Sequence, residues 1–512
     1  MTTGTRTYQD AIVSLNTLQS NAAALEALRN QPKTTDTSLS ESVEFLRRIG
    51  YQQSDLNRLN VIHITGTKGK GSACAFTDSI LRHAVPSWTV GLYTSPHLVS
   101  VRERIRINGV PLSEEEFTKY FYEVWDRLEE NPPAPYEPRM PMYFRYMTLV
   151  AFHTFFSLKV DATILEVGIG GLNDITNIVP EPIATGVTSL GIDHVGVLGH
   201  TLGEIARHKG GIYKEGVPAF TVAQPVEGLE VLRGMAKERK ASEFSVLQPI
   251  EALRSIKLGL PGIHQLSNAT MAVSLCHTFL KRKAPPTIEI ADEPTSLSPA
   301  FIAGLENARW PGRCQQVVDP VREKIRWFLD GAHTNESLRC CVDWYVSPDV
   351  GLRAMTRPKR VLIFNCTKGR SGSEFLGTIL EHISQQLRLY GSQQLQDAEG
   401  TLPHGAFFDH VIFCANVTYA NGSFKGDLTS TILKDEADQL ATQKEIAAAW
   451  ASLVPGFPAS NIHVLPSIEH AVKVVRDLET KVDGGDVDVL VTGSLHLVGG
   501  TIEVAGLAEV AL

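Results

Sequence analysis

Asn60-Val-Ile-His-Ile-Thr65-Gly-Thr-Lys-Gly-Lys70-Gly-Ser-Ala-Cys-Ala75-Phe-Thr-Asp-Ser-Ile80-Leu-Arg82 is the stretch whose reading decides the fold. The apolar, β-branched residues Val61 to Thr65 read as a short buried strand, Gly66 to Ser72 as a glycine-rich turn, and Ala73 onward as a helix. That layout cradles a nucleotide phosphate. Gly66, Gly69 and Gly71 let successive amides curl toward one anion, and Lys70 adds a point charge at a helix N-terminus. The match to Gly-x-x-x-x-Gly-Lys-[Ser/Thr] is incomplete, because Ile64 replaces the first glycine and Gly71 stands where a hydroxyl residue belongs. A plain strand-to-helix connection is the competing reading of the stretch in isolation.

Outward from this turn, strands and helices alternate. Tyr8 to Leu28 and Glu41 to Ile49 show helical spacing ahead of it. Behind it, Thr89 to Thr94, Ala162 to Val167 and Ala184 to Leu190 read as strands. Ser113 opens a helix to about Glu130 through a capping box, and Tyr143 to Leu158 is a long apolar helix. Alternation of this kind predicts a mostly parallel sheet with helices on both faces, and such sheets bind ligands beyond the carboxyl ends of their strands. The phosphate turn, Ser95, Glu166 and Asp193-His194 all fall at or beyond those ends. Val101 to Gly109, with Arg102, Arg104 and Arg106, is either an exposed hairpin or a lip for an anionic substrate.

The pattern restarts after Trp310-Pro311-Gly312-Arg313. Strands are expected at Ile325 to Leu329, Arg360 to Asn365, His410 to Ala415, Asn461 to Leu465 and Val487 to Val491, with helices between them. The expectation is two α/β domains, residues 1–307 and 308–512.

A chain of 512 residues has ample length for two cores, and 43% hydrophobic with 20% charged residues describes a globular protein. The net charge of −8 argues against a nucleic-acid partner. Seven scattered cysteines, odd in number and without metal-ligand spacing, suggest reduced thiols in a cytosol-like compartment. No apolar run approaches a membrane span, and the first thirty residues mix Arg6 and Arg29 with Asp10 and Glu26. The expected protein is a cytoplasmic monomer without a membrane partner, a mitochondrial form from another start site remaining open.

The chemistry at these positions points to phosphoryl transfer. Such a reaction needs a divalent cation on a few oxygen ligands. Glu166, a carboxylate between an apolar strand and a glycine run, suits that role better than packing, and Ser95 is a second oxygen donor. His194 is a less expected ligand, since imidazole suits softer metals. In the second half Asp330-Gly331-Ala332-His333 again follows a strand. Asp330 either caps the next helix or holds a ribose hydroxyl, with His333 near the phosphates. The Arg313 guanidinium suits a β- or γ-phosphate. These residues alone imply an ATP-using two-domain enzyme.

Taken together, the motifs resemble the folylpolyglutamate synthases, within the Mur-type amide ligases. The resemblance rests on His63 to Ser72, Thr94-Ser95-Pro96-His97-Leu98, Leu165 to Gly171, Leu190 to His194, Lys209-Gly210-Gly211-Ile212, Trp310 to Arg313, Asp330 to His333 and Thr492 to Gly499, and it points to the eukaryotic form. It implies an N-terminal phosphate-loop NTPase-like domain and a smaller C-terminal Rossmann-like domain. It also implies ATP-dependent addition of L-glutamate to the γ-carboxylate of a tetrahydrofolate or its polyglutamates, through an acyl phosphate, with ADP and phosphate released. Dihydrofolate synthase, which joins glutamate to dihydropteroate, and an inactive nucleotide-binding regulator are the alternatives.

Residue by residue, the resemblance gives Thr67, Lys68, Gly69, Lys70, Gly71 and Ser72 to the ATP phosphates. Ser95, Glu166 and His194 go to Mg2+, and Arg313 and Asp330 to nucleotide contacts. Gln265 and Asn268 lie near adenine or cap their helix. His333 stands near phosphate or glutamate, and Lys70, Glu166, His194, Lys209 and His333 form the catalytic set. Lys209 matches a lysine carbamylated in bacterial relatives, although His208-Lys209-Gly210-Gly211 differs from the bacterial pattern; its other reading is a lysine favourable to a helix C-terminus. A monovalent cation, K+, is a further cofactor to consider.

Overall fold

The computed structural model describes residues 6–19, 38–135, 137–352, 357–366, 371–390, 407–423, 425–428, 440–481 and 485–512. The chain divides into two compact units. The first comprises Met1–His97, Val101–Leu260 and His264–Arg309, and the second Leu98–Ser100, Pro261–Ile263 and Trp310–Leu512.

The first unit is built on eight strands: β1 (Val61–Thr65), β2 (Val90–Tyr93), β3 (Ile105–Ile107), β4 (Val110–Pro111), β5 (Ala162–Glu166), β6 (Ala184–Val187), β7 (Pro218–Thr221) and β8 (Glu243–Val246). Their order is β4-β3-β2-β5-β1-β6-β7-β8. All pairs are parallel except β2 with β3 and β3 with β4. β1 is buried along its whole length, as its unbroken apolar character requires of a central strand in a two-faced parallel sheet. Its register sets Ile64 level with Glu166 on one side, and Thr65 level with Val187 on the other. Three strand ends therefore meet around the turn at Gly66.

The phosphate-turn helix spans Lys70–Ala84 and begins three residues earlier than its apolar spacing suggests. On the aromatic side of the sheet, Glu114–Glu130 and Tyr143–Leu158 share a core in which Phe117, Phe121, Tyr146, Phe152 and Phe155 are fully buried. The first helix runs Tyr8–Thr17; the remainder of its expected span, from residue 20, lies outside the described residues.

The arginine-rich stretch ends in a hairpin, β3 with β4, whose tip at Asn108 and Val110 is exposed while its base is buried. Arg104 and Arg106 are buried. Arg104 Nε donates to His97 Nδ1 at 2.9 Å, and its guanidinium lies 5.5 Å above the Tyr143 ring. Charge alone suggested solvent, but the aliphatic stems and planar heads pack against aromatic and carbonyl partners.

The second unit holds β9 (Gln315–Val318), β10 (Ile325–Leu329), β11 (Lys359–Phe364), β12 (His410–Cys414), β13 (Ile462–Leu465) and β14 (Val487–Thr492), in the order β13-β12-β11-β14-β10-β9. Only β9 is antiparallel, to β10. Helices Asn335–Tyr345, Gly372–Tyr390, Ala441–Leu453, Ile468–Lys481 and Leu495–Ala505 complete the doubly wound α/β arrangement. The strands β7, β8 and β9 are not among those expected from the sequence.

Candidate active site

Gly69 occupies the left-handed region, φ +85°, immediately before the helix Lys70–Ala84. A side chain there would meet Asn268 Oδ1 as well as backbone strain. No side chain caps this helix and no acidic residue lies in its first turn. The amides of Lys70, Gly71 and Ser72 occupy the positions that have no intrahelical acceptor, so this end is prepared for an anion.

The turn is tied to the chain after β6. Thr67 and Lys68 amides donate to Ser189 O at 2.9 and 3.1 Å. Thr67 Oγ1 donates to Gly191 O at 3.0 Å, and Thr188 Oγ1 to Lys68 O at 2.7 Å. Gln224 braces this segment, donating to Thr188 O and accepting from the Leu190 amide, both at 2.9 Å. The same segment continues into Asp193-His194, and Lys68 Nζ lies 4.0 Å from Asp193 Oδ2.

Lys70 Nζ donates to Gly66 O at 3.0 Å, and Lys209 Nζ to the same oxygen at 2.9 Å. Lys209 sits in the last turn of the helix Leu202–Gly210 but is 3% exposed and reaches across to the phosphate turn. Burial, reinforced by the nearby Lys70 charge, holds its amine well below the usual lysine range. The helix-dipole reading of Lys209 therefore does not describe it.

Ser95 and Glu166 are brought together. The Ser95 amide donates to Glu166 Oε2 at 3.0 Å, and the carboxylate is 4% exposed at the end of β5. A serine hydroxyl and a buried carboxylate are hard oxygen donors, and Mg2+ takes one or two carboxylates with phosphate and water completing its shell, so this pair fits the ion. His194 lies on the loop after β6, exposed and with φ +51°, its amide donating to Asp193 Oδ1 at 2.9 Å.

Gln265 and Asn268 do not cap their helix. Its N-cap is His264, which makes no side-chain cap bond. Both side chains are buried: Gln265 Nε2 donates to Ser72 Oγ at 3.3 Å and Asn268 Nδ2 to Gln265 Oε1 at 2.8 Å. They wedge the start of the phosphate-turn helix.

In the second unit Asp330 accepts the Cys314 amide at 2.7 Å on Oδ2 and the Ala332 amide at 2.9 Å on Oδ1. The cap of the following helix is Thr334, so the capping reading of Asp330 fails. The Gly331 amide donates to Gly312 O at 3.0 Å, which joins the Asp330 turn to the Arg313 turn. His333 Nδ1 is 2.8 Å from Gly331 O.

Sequence reasoning missed Thr188, Gln224 and Asp174, which shape the turn and the glycine run without touching a ligand position. Asp174-x-Thr176, an aspartate that accepts its own downstream amide, was the signal available for the last of these.

No protein-family model matches the chain. It is 42% identical to the folylpolyglutamate synthase of Neurospora crassa, the alignment covering 99% of this chain and 93% of that protein. The folylpolyglutamate synthase of Mycobacterium tuberculosis complexed with ADP superposes with TM-score 0.67 at 23% identity, over 97% of this chain and 99% of that one. The bifunctional folylpolyglutamate synthase/dihydrofolate synthase of Yersinia pestis, complexed with AMPPNP and Mn ion, does so with TM-score 0.62 at 21% identity, over 96% and 99%.

Proposed function

This chain belongs to the folylpolyglutamate synthase family, and on that premise we propose how its own residues serve the reaction. The enzyme is an ATP-dependent ligase that adds L-glutamate to the γ-carboxylate of a reduced folate. A carboxylate is a poor electrophile until one of its oxygens becomes a phosphate leaving group. ATP supplies that group, and the glutamate amine then displaces phosphate as the amide forms.

The amides at the start of Lys70–Ala84, with Thr67, Lys68 and Lys70, hold the ATP phosphates. Ser95, Glu166 and His194 are the residues assigned to Mg2+, which supplies charge neutralisation on the transferred phosphoryl group when bound. Burial lowers the Lys209 pKa well below the usual lysine range, which favours the unprotonated amine, the form that reacts with CO2 to give a carbamate. Gln265 and Asn268 keep Gly69 and Ser72 in place beneath the nucleotide. In the second unit Arg313 is assigned to a phosphate, Asp330 to a ribose hydroxyl and His333 to phosphate or glutamate. The protein acts as a cytoplasmic monomer on diffusible substrates.

The observation that carries this reading is the buried Glu166 carboxylate, held by the Ser95 amide one strand from the phosphate turn. Incubation with ATP, Mg2+, labelled glutamate and tetrahydrofolate should give one ADP per amide formed, and omission of K+ tests for a monovalent ion. Turnover of dihydropteroate with none of tetrahydrofolate would assign dihydrofolate synthase instead.

A further inference from the structure

His63 lies in β1 two residues before Thr65, so both side chains leave the same face of the sheet. Both reach the segment that follows Glu166. Thr65 Oγ1 donates to Gly170 O at 2.6 Å, and His63 Nε2 lies 2.8 Å from Thr176 Oγ1. Thr176 Oγ1 in turn lies 2.7 Å from Asp174 Oδ1, which also accepts the Thr176 amide at 3.0 Å. Asp174 Oδ2 accepts the amides of Gly168 and Ile169 at 3.1 and 3.3 Å.

Four donors converge on this one carboxylate; burial raises its pKa against their pull, and as the carboxylate Asp174 is an acceptor throughout. A hydroxyl has a single proton. Because that of Thr176 is given to Asp174, its oxygen must accept from His63, and the imidazole therefore carries its proton on Nε2. Nδ1 is buried and has no hydrogen-bond partner among the described residues. Burial pulls the ring down to a pKa of about 3, which favours its neutral form. The contact with Thr176 is the hydrogen bond that the ring makes among the described residues.

We propose that His63 is a positioning residue for the metal-bearing sheet edge: by holding the Thr176 hydroxyl toward Asp174 it fixes the amides of Gly168 and Ile169, and with them the aim of Glu166 two residues upstream. The catalytic consequence rests on the assignment of Glu166 to Mg2+; the mechanical one does not. Outer partners of metal ligands act in this way, orienting a group they do not replace.

The test compares His63→Leu, His63→Gln and Thr176→Val with the parent protein. Hydrogen exchange across residues 166–171 is measured without ligand, and the Mg2+ dependence of folate-stimulated ADP release with ATP. His63→Leu and Thr176→Val should speed exchange at Gly168 and Ile169 and raise the half-saturating Mg2+ concentration by about 10- to 100-fold. His63→Gln, which offers an N–H at similar reach, should stay close to the parent in both. Unchanged exchange in a folded His63→Leu or Thr176→Val protein overturns the proposal, as does a folded His63→Gln that behaves like His63→Leu. If His63→Leu does not fold, Thr176→Val, which removes one hydroxyl at nearly constant shape, decides alone. Glu166→Gln separates the two layers: an unaltered Mg2+ requirement in that variant would remove the metal assignment and leave the exchange result to judge the clasp.

Discussion

Lys70 and Lys209 donate to one and the same acceptor, the carbonyl oxygen of Gly66, from 3.0 and 2.9 Å. Two ammonium groups on one buried oxygen would repel. Burial, with the neighbouring Lys70 charge, lowers the Lys209 pKa well below its ordinary value of 10.5, against the pull of Asp193, and Lys68 adds a smaller push in the same direction as Lys70. Between the lowered value and 10.5 the unfolded chain binds a proton that the folded protein does not, so stability rises with pH across that window. Lys209→Met removes this penalty while Lys70 still satisfies Gly66 O. Its melting temperature should exceed the parent's at neutral pH, with the difference shrinking as pH approaches 10. A difference that does not vary with pH would mean that Lys209 is protonated in the folded state.

The same lowering favours the unprotonated Lys209 amine, the form that attacks CO2. Carbon-13 bicarbonate should label a carbamate in the parent protein and not in Lys209→Arg, with activity in the parent rising with bicarbonate concentration. An active enzyme without the label would leave Lys209 as an unmodified hydrogen-bond donor to Gly66 O.

Glu166→Gln keeps an oxygen for the Ser95 amide and removes the charge. The folded protein should retain its melting temperature within a few degrees, while turnover falls by about 100-fold or more, the scale seen when one charge-stabilising group is deleted from an active site. Removal of divalent ions with EDTA should abolish ADP formation in the parent, and Mg2+ or Mn2+ should restore it. Steady-state assays over a Mg2+ series distinguish a raised metal requirement from general loss.

The parallel sheets and the phosphate turn were legible because buried strands and glycine punctuation are local signals. Val61 to Thr65, the turn and the strand at Ile325 to Leu329 stand where their residues place them. Glu166 was legible for the same reason, as a carboxylate at the end of an apolar strand. The partners that give these groups their properties were not. Neither reading of Lys209, as a match to a carbamylated lysine or as a helix-terminal one, includes its bond to Gly66, and neither reading of Arg104, in an exposed hairpin or a substrate lip, includes its cover by Tyr143 and His97. Gln265 and Asn268 read as lying near adenine or as helix caps, and neither reading includes their packing against Ser72 and Gly69, which spans nearly two hundred residues of chain. Pairing across the fold determines charge state and exposure, and for Lys209 with Gly66 and Gln265 with Ser72 the partners lie more than a hundred residues apart.

Gly69 tests how tightly the wedge under the phosphate turn is built. Its φ of +85° alone should cost a substituted alanine about 1–2 kcal/mol. The Asn268 Oδ1 atom occupies the space a Cβ needs, so Gly69→Ala should lose more than that and weaken binding of a non-hydrolysable ATP analogue. Asn268→Ala in the same chain opens the space but leaves the backbone strained. Urea unfolding of the double variant should therefore recover part of the lost stability and leave a deficit of about 1–2 kcal/mol. Full recovery would show that contact with Asn268, not backbone conformation, demands glycine; no recovery would show that the side chain moves aside freely and that φ alone sets the requirement.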